Sequence, residues 1–248
     1  MNPAEFATLA RAEHNLWWFR GMQRILFGLL DPLVRGRSLA RVLDAGCGTG
    51  HFAGVLQERC GWRLFPADVA REGLDLARAT ALSRLTQADI SRLPYRDGSF
   101  DAVFSLDVLV HFPRGEERVA MSEFARVLRP GGLLVLRVSA LDALRSRHSM
   151  FTRERQRFTR GRLVRLAREN GFRVLRCTYA NTLLVPIALV RFRLWEPLLR
   201  KPPASGTAPV APWLDRLLYL PLAVESKLIA AGMNLPLGQS LILVAEKP

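Results

Sequence analysis

A glycine-rich turn between an apolar strand and a helix constrains the fold of this chain more than any other feature. The run Val42-Leu43-Asp44-Ala45-Gly46-Cys47-Gly48-Thr49-Gly50 leaves a strand predicted at 41–45 and enters a helix predicted at 52–59. Glycines let the backbone turn sharply and approach a ligand without an intervening Cβ. The N-terminus of the helix adds unpaired N–H groups and a positive dipole end. The turn therefore predicts a ligand site at the end of a strand in an α/β fold.

The rest of the chain alternates between apolar strands and helices, which predicts a mostly parallel sheet with helices on both faces. The last two strands have no simple crossover helix between them, which indicates an antiparallel addition. The N-terminal residues 3–35 predict helix with a break near Arg20–Gly21. Further strands are predicted at 63–68, 82–87, 100–106, 133–139, 172–179 and 240–246, and further helices at 71–79, 116–128 and 160–170.

Two classes of ligand could occupy the glycine turn. The pattern Gly48-x-Gly50-x-x-Ala53 satisfies the dinucleotide motif G-x-G-x-x-G/A. However, Asp44 precedes the glycines, and a carboxylate there is unfavourable beside a pyrophosphate. The same carboxylate is well placed to hold a ligand's ammonium group through a hydrogen bond or a water. S-adenosylmethionine (SAM) carries such an ammonium and a dinucleotide does not, so the sequence favours SAM.

Two further carboxylates complete a nucleoside site. Asp68 ends the second strand, 22 residues after Gly46, where it can accept hydrogen bonds from both ribose hydroxyls. Asp89 follows the third strand and can accept from an adenine amino group, while Ile90 can pack on the ring. The alternative for Asp68 is a residue that caps the next helix, and for Asp89 it is an ordinary turn residue.

The fourth strand points toward the same site. It delivers Leu106, Asp107 and His111 to the carboxyl edge of the sheet, where open α/β folds bind ligands. The later run Arg129-Pro130-Gly131-Gly132 has a structural role, because proline and glycine end one helix before the next strand.

In this order and spacing, these motifs resemble the class I SAM-dependent methyltransferases, specifically the type 11 group, over about residues 40–140. The resemblance implies a Rossmann-like seven-stranded sheet with an antiparallel last strand. It implies that SAM is the cofactor and S-adenosylhomocysteine the product. The cofactor-binding residues expected from it are Asp44, Gly46, Cys47, Gly48 and Gly50 for the methionine part, Asp68 and Val69 for the ribose, Asp89 and Ile90 for the adenine, and Leu106 beside the cofactor.

The resemblance also suggests a division of the chain. We expect an N-terminal helical lid at 1–38, a SAM-binding core at 39–180, an inserted substrate cap at 181–238, and a final strand at 239–248. The run Lys201–Pro212 predicts a flexible or extended linker inside the insertion. The run Glu13–Arg20 is similar to the start of a subset of the family, and Trp17 and Trp18 are expected in the lid or, alternatively, in the core.

Methyl transfer is a displacement at the sulfonium methyl, and it needs a general base only if the acceptor loses a proton during attack. The candidates are His111, His14 and His148, of which His111 is best placed after the fourth strand. Local packing or capping is the alternative for each. Cys47 is expected as a small loop residue and not as a catalytic thiol.

The charge of the chain is strongly positive, with 36 Lys and Arg against 22 Asp and Glu. Ten arginines lie between Arg145 and Arg173 with only Glu154 and Glu169 opposing them. These arginines are either a solvated face or a binding surface for phosphates on a substrate, RNA or anionic lipid. The insertion is apolar, so we expect a small-molecule acceptor or one linked to a lipid or glycan, methylated on oxygen. The alternatives are an RNA or protein methyltransferase and a SAM-binding protein without transferase activity.

Three scattered cysteines predict neither a disulfide framework nor a metal site. The sequence shows no signal peptide and no apolar run of about 18–20 residues. We therefore expect a cytoplasmic protein that contacts an anionic membrane peripherally. Recognisable RNA-binding modules are lacking, which disfavours nucleic acid as a partner. The oligomeric state stays open.

Overall fold

A computed structural model describes residues 4–80, 82–199, 202 and 204–248. Within these residues, a seven-stranded sheet has the order β3-β2-β1-β4-β5-β7-β6. Neighbouring strands from β3 to β5 are parallel, and β7 runs antiparallel to both β5 and β6. This confirms the predicted mostly parallel sheet with an antiparallel last strand. The strands are β1 Arg41–Ala45, β2 Arg63–Asp68, β3 Thr86–Gln87, β4 Phe100–Leu106, β5 Leu128–Ser139, β6 Arg173–Ala180 and β7 Ser240–Glu246.

The helices connect these strands. They are α1 Ala4–Ala12, α2 Trp17–Val34, α3 His51–Cys60, α4 Arg71–Ala77, α5 Glu117–Val127, α6 Arg147–Phe151, α7 Arg160–Glu169, α8 Val185–Val190, α9 Glu196–Leu199 and α10 Pro212–Ala230. A π-helical turn at Arg191–Trp195 joins α8 to α9, and short 3-10 turns occupy Leu109–His111 and Asp142–Leu144. Among the helices of the described residues, none combines the length and apolarity needed to cross a membrane.

Both faces of the sheet are covered. Successive side chains of a strand point to opposite faces, and Val103 and Phe104 of β4 are both fully buried. Phe104 lies 5.9 Å from Phe52 of α3, which lies 6.3 Å from Phe27 of α2, measured between ring centroids. This aromatic row fixes α2 and α3 on the sheet face that Phe104 occupies.

Three predicted boundaries were wrong. The fifth strand begins at Leu128 and not at Leu133, because Leu128 already pairs with Phe100 of β4, so the run Arg129–Gly132 lies within β5. The break in the N-terminal helix falls at residues 13–16 and not at Arg20–Gly21. Gly21 lies inside α2, where a Cβ would overlap the side chain of Leu222 in α10. The glycine therefore serves close helix packing. The third strand covers only Thr86–Gln87, because Leu82 turns into the core instead of extending the strand.

The insertion at 181–238 is joined to the rest of the molecule at several points. α10 runs along α2, and its Leu222 and Ile229 are fully buried in the main core. α8 packs on Leu144 in a second, smaller cluster. In the predicted linker Lys201–Pro212, Lys201 and Pro203 lie outside the described residues. The described residues from 202 to 211 have no regular structure, and Pro212 already begins α10. The linker is anchored, because Ser205 Oγ donates to the Glu5 carboxylate at 2.9 Å.

Candidate active site

The glycine turn folds back over the end of β2. Gly46, Gly48 and Gly50 have φ values of 90°, 54° and 77°, a region that residues with a Cβ avoid. A Cβ at Gly46 would overlap the side chain of Val108, so this position also needs glycine for space. The N–H groups of Gly46 and Cys47 both donate to the carbonyl of Ala67, at 2.7 and 3.0 Å. The turn is therefore a rigid cradle at the carboxyl edge of the sheet.

Asp68 braces this cradle. Its Oδ2 accepts from the N–H of Gly48 and its Oδ1 from the N–H of Ala70, each at 2.8 Å. Each carboxylate oxygen has a second lone pair, so two acceptor sites remain for ligand hydroxyls. The helix-side contact to Ala70 and the proposed ribose contact are thus compatible.

Asp44 has a buried carboxyl oxygen without a hydrogen-bond partner beside the cradle. Its side chain is buried, and its Oδ2 has no hydrogen-bond partner. Burial raises the pKa of Asp44 to about 7, and the nearby carboxylates of Asp68 and Glu13 add to this while Arg137 opposes it. A buried polar atom without a partner is costly, so a cationic group beside Oδ2 would be stabilising. The ammonium of SAM is such a group, and the residues present fit it.

A second charged cluster lies against the cradle. Thr49 Oγ1 donates to the Glu13 carboxylate, which ties the N-terminal segment to the glycine turn. Burial raises the pKa of Glu13. Arg137 of β5 donates from Nε and Nη2 to Asp107 Oδ2 at 2.9 and 2.6 Å, and its guanidinium lies 5.0 Å from the Trp18 ring centroid. The cluster joins the ends of β4 and β5 to the N-terminal helices.

Glu13, Thr49 and Arg137 were not predicted from the sequence as site residues. For Arg137 a signal exists, because an arginine interrupts the apolar run Leu133–Ser139 of a central strand, where buried charges are rare. Glu13 begins the run Glu13–Arg20 noted above, but that run does not reveal its contact with Thr49, which spans 36 residues of sequence.

The residues expected to bind adenine differ in burial and contacts from those expected to bind the methionine part of SAM. Asp89 is exposed and accepts from both the N–H and the Oγ of Ser91 at 2.8 Å. Ile90 is only 5% exposed and belongs to the main core. Val69 is exposed, and Leu106 is half-buried against the core. The contacts of Asp89 are those of a turn residue, and its role toward adenine stays a prediction.

The three candidate histidines differ in their surroundings. Burial lowers the pKa of His111, which keeps its ring neutral near pH 7, and its Nδ1 lies 3.5 Å from the carbonyl of Arg153. Burial also lowers the pKa of His148, but its Nδ1 accepts from the N–H of Gly206 at 2.9 Å. A neutral His148 therefore carries its proton on Nε2 and is a donor. His14 is exposed, 4.4 Å from the ring of His51.

Trp17 and Trp18 are half-buried at the edge of the site. The backbone N–H of Trp17 donates to Asp215 Oδ1 of α10 at 2.7 Å, and Arg20 pairs with the same carboxylate. Trp18 contacts Arg137 as described above. The start of α2 is thus held between α10 and the charged cluster.

The comparisons with known proteins agree with this geometry. Residues 43–136 match the family model of a methyltransferase domain. The chain is 32% identical over 150 residues to the O-methyltransferase resE of Aspergillus sclerotiorum, covering 55% of this chain and 56% of that protein. It is 34% identical over 102 residues to a tRNA (carboxymethyluridine(34)-5-O)-methyltransferase of Xenopus tropicalis, covering 41% and 16%. The matched part is less than two thirds of the length of the curated relatives.

A solved structure extends the likeness to the whole fold. The methyltransferase in complex with the Haloferax volcanii Trm112 methyltransferase activator superposes with a TM-score of 0.60 at 20% identity, covering 98% of each chain. The fold and the glycine turn with its acidic residues define a class of protein, the class I SAM-dependent methyltransferases. Within that class, residues 43–136 are similar to the methyltransferase domain of the type 11 group.

Proposed function

We propose that this chain transfers the methyl group of SAM to an oxygen atom of a small-molecule or lipid-linked acceptor. The observation that carries the proposal is the buried Oδ2 of Asp44, which has no hydrogen-bond partner and lies beside a turn where Gly46 and Gly50 leave no room for a Cβ. A dinucleotide would bring a pyrophosphate to this carboxylate, whereas SAM would bring an ammonium. The matching O-methyltransferase at 32% identity supports oxygen as the accepting atom.

The residues of the chain have separate roles in this proposal. Asp44 would hold the ammonium, and the turn from Gly46 to Gly50 would contact the methionine part. Asp68 would accept from the ribose hydroxyls through its free lone pairs. Bound SAM supplies an electrophilic methyl group on a sulfonium, which is reactive without activation, so the protein mainly positions the acceptor and excludes water.

His111 is the proposed general base. It follows β4 directly, in the 3-10 turn Leu109–His111 at the carboxyl edge. The segment after α6 supports this turn, because the N–H groups of Arg155 and Gln156 donate to the carbonyl of Val110 at 2.9 and 3.2 Å. A neutral imidazole held in this way can take a proton from an acceptor hydroxyl. Its substitution by alanine should lower kcat by about 10²–10⁴-fold and leave SAM affinity unchanged.

The alternative function, RNA methylation, is favoured by the tRNA methyltransferase relative and by the arginines of 145–173. Several of these arginines, however, are engaged within the chain. Arg157 donates to the carbonyl of Ala140 and to Ser149 Oγ, and Arg162 pairs with Glu117 at 2.5 Å. These arginines stabilise the fold around β5 and are not free to bind phosphates, which favours the small or lipid-linked acceptor.

The test uses labelled SAM and cell extract separated into lipid, small-molecule and RNA fractions. Label should appear in the lipid or small-molecule fraction with the wild-type chain and not with the His111→Ala variant. Label in RNA would establish the alternative.

Calorimetry tests the cofactor separately. It should show binding of SAM and S-adenosylhomocysteine and none of NAD, and tight NAD binding without SAM binding would refute the proposal. Binding of SAM without transfer to any fraction would indicate a non-catalytic SAM-binding protein.

A further inference from the structure

The helical segment 185–199, formed by α8, the π turn and α9, has an apolar outer surface. Ile187, Val190, Leu194 and Leu198 are spaced by three or four residues, so they share one side of the helix. Their exposed fractions are 59%, 57%, 61% and 78%. A helix that packs on a protein normally shows the reverse pattern, with its polar side outward. We call these four side chains the outer ridge.

The opposite side of the same segment is attached to the carboxyl edge of the sheet. Val185 and Ala188 are buried against Leu144, which follows the end of β5. Glu196 accepts from the N–H of Arg147 at 2.9 Å. The segment is therefore held at the edge of the sheet where the acceptor must enter, with its outer ridge turned away from the core.

Cationic and aromatic side chains border the outer ridge. Arg191 is exposed, and Arg193 is exposed while its Nε donates to the carbonyl of Ala143. Trp195 is 63% exposed. In the preceding part of the chain, Arg153, Arg155, Arg165 and Arg168 are also exposed, whereas Arg157 and Arg162 are engaged within the fold. An apolar helix side bordered by arginine and tryptophan, in a basic region, is the pattern of helices that lie in the surface of an anionic membrane.

We infer that the outer ridge docks this chain on an anionic lipid surface, with the segment 185–199 lying parallel to the membrane. At 1.5 Å per residue the segment is about 22 Å long, and burying four large apolar side chains and a tryptophan removes apolar surface from water, which favours docking. Docking would present the carboxyl edge to the lipid headgroups. The inference rests on the proposed function for its purpose, the supply of a lipid-linked acceptor, whereas the docking itself needs only this surface.

α10 offers a matched control. Its Trp213, Leu217, Leu220 and Val224 are also spaced by three or four residues and are 50–67% exposed. This second stripe lies along the helix that packs on α2, and not on the segment held at Leu144. Equal substitutions in the two helices therefore remove similar apolar area from two different surfaces.

The first experiment is flotation of the full chain with two kinds of vesicle, one of phosphatidylcholine alone and one of phosphatidylcholine and phosphatidylglycerol at about 60:40. Each is tested at low and at high salt. The wild-type chain should float with the anionic vesicles, and high salt should reduce this. The variant Ile187→Ser/Leu194→Ser/Leu198→Ser should lose at least tenfold in binding. The control Trp213→Ser/Leu217→Ser/Leu220→Ser should lose less than threefold. Equal loss in both variants, or no binding by the wild type, would overturn the inference.

The second experiment locates the membrane contact directly. Brominated lipids quench tryptophans that enter the bilayer surface, and the chain has five tryptophans. Quenching should disappear in the Trp195→Phe variant and persist in the Trp213→Phe variant. The opposite result would assign the contact to α10 and reject the outer ridge.

Three further measurements distinguish a loss of lipid docking from misfolding, from a change in cofactor binding and from self-association of the chain. Thermal melting of each variant shows whether it folds, and calorimetry with SAM tests the proposed function independently of lipid. Absence of SAM binding by the wild type would refute the proposed function and leave the docking result standing. A stable dimer in light scattering that the ridge variant dissociates, without vesicle binding, would show that a second copy covers the ridge and would overturn the lipid assignment.

Discussion

The cofactor half of the molecule and the helices added around it are built by different kinds of contact. In the cofactor half, short backbone segments at neighbouring strand ends brace one another, as where the N–H of Gly48 donates to Asp68 twenty residues away. The added helices are held by contacts across almost the whole chain, such as Trp17 with Asp215 and Ser205 with Glu5. The difference teaches that the proposed cofactor site depends on local backbone geometry, whereas the proposed acceptor side depends on the assembly of distant segments.

The largest effect is expected from a single methyl group in the glycine turn. Gly46→Ala forces a Cβ onto a backbone with φ of 90° and into the side chain of Val108. Strain and overlap together should cost roughly 2–5 kcal/mol of the free energy of unfolding. SAM binding should be lost, since the turn cannot keep its shape. Chemical denaturation and calorimetry measure the two effects.

Gly54→Ala is the matched control for this change. Gly54 lies inside α3, and a Cβ there would meet nothing within 4 Å. The substitution should stabilise the protein by about 0.5–1 kcal/mol because alanine favours helix. If Gly46→Ala were as well tolerated as Gly54→Ala, the turn would not be the rigid cradle described.

The second effect concerns Asp68. Asp68→Ala removes the acceptor of two backbone N–H groups and of the expected ribose hydroxyls. Loss of hydrogen bonds to a charged group should cost roughly 1.5–3 kcal/mol, or about 10- to 150-fold in SAM affinity. Calorimetry measures the change, and Asp75→Ala on the surface of α4 is the control. An unchanged affinity would remove Asp68 from the ribose site.

The third effect tests the added helices. Gly21→Ala would place a Cβ into the side chain of Leu222, where α2 meets α10. Overpacking at a helix contact should cost about 1–3 kcal/mol of stability. SAM affinity, measured where the variant is fully folded, should change less than about threefold, because the glycine turn is untouched. A large loss of affinity with normal stability would show that the two halves are not separable.

These contrasts explain how far the sequence could predict the structure. The strands β1, β2, β4 and β7 were predicted at their observed bounds, because each is a short apolar run between turn residues. Asp44 and Asp68 could be placed because a strand end determines where they lie. The position of Gly21 could not, since its role depends on Leu222, about two hundred residues later.

The candidate site shows the same limit. The glycine turn and its two carboxylates follow from sequence spacing. The cluster of Glu13, Thr49, Asp107 and Arg137 depends on how the N-terminal segment crosses the sheet, which no local pattern encodes. The sequence shows that the insertion is rich in apolar side chains. Only their exposed fractions in the folded chain distinguish an outer ridge from a pocket wall.

The smallest and most specific effect is a pH dependence of SAM affinity. The pKa of Asp44 is raised to about 7, so the carboxyl is largely protonated below that pH and must lose a proton to pair with an ammonium. Affinity should therefore fall by up to about tenfold for each pH unit below 7. Calorimetry between pH 5 and 7 stays below the titration of a free α-amino group, at about 7.7–8.0.

Asp44→Asn is the control, because an amide does not titrate; its SAM affinity should be lower at pH 7 but nearly constant from pH 5 to 7.

The pH dependence of stability gives an independent check of the direction of the Asp44 pKa shift. A carboxyl whose folded pKa is raised stabilises the fold only at low pH, and this contribution is lost as the pH rises from the unfolded value of 3.8 toward 7. Asp44→Asn should therefore raise the Tm of the ligand-free protein by several degrees at pH 8 (about 2–4 °C per kcal/mol) and hardly at all at pH 4. A pH-independent affinity in the wild type would mean that Asp44 is not the partner of the ammonium, and the buried oxygen would then have to be satisfied by water alone.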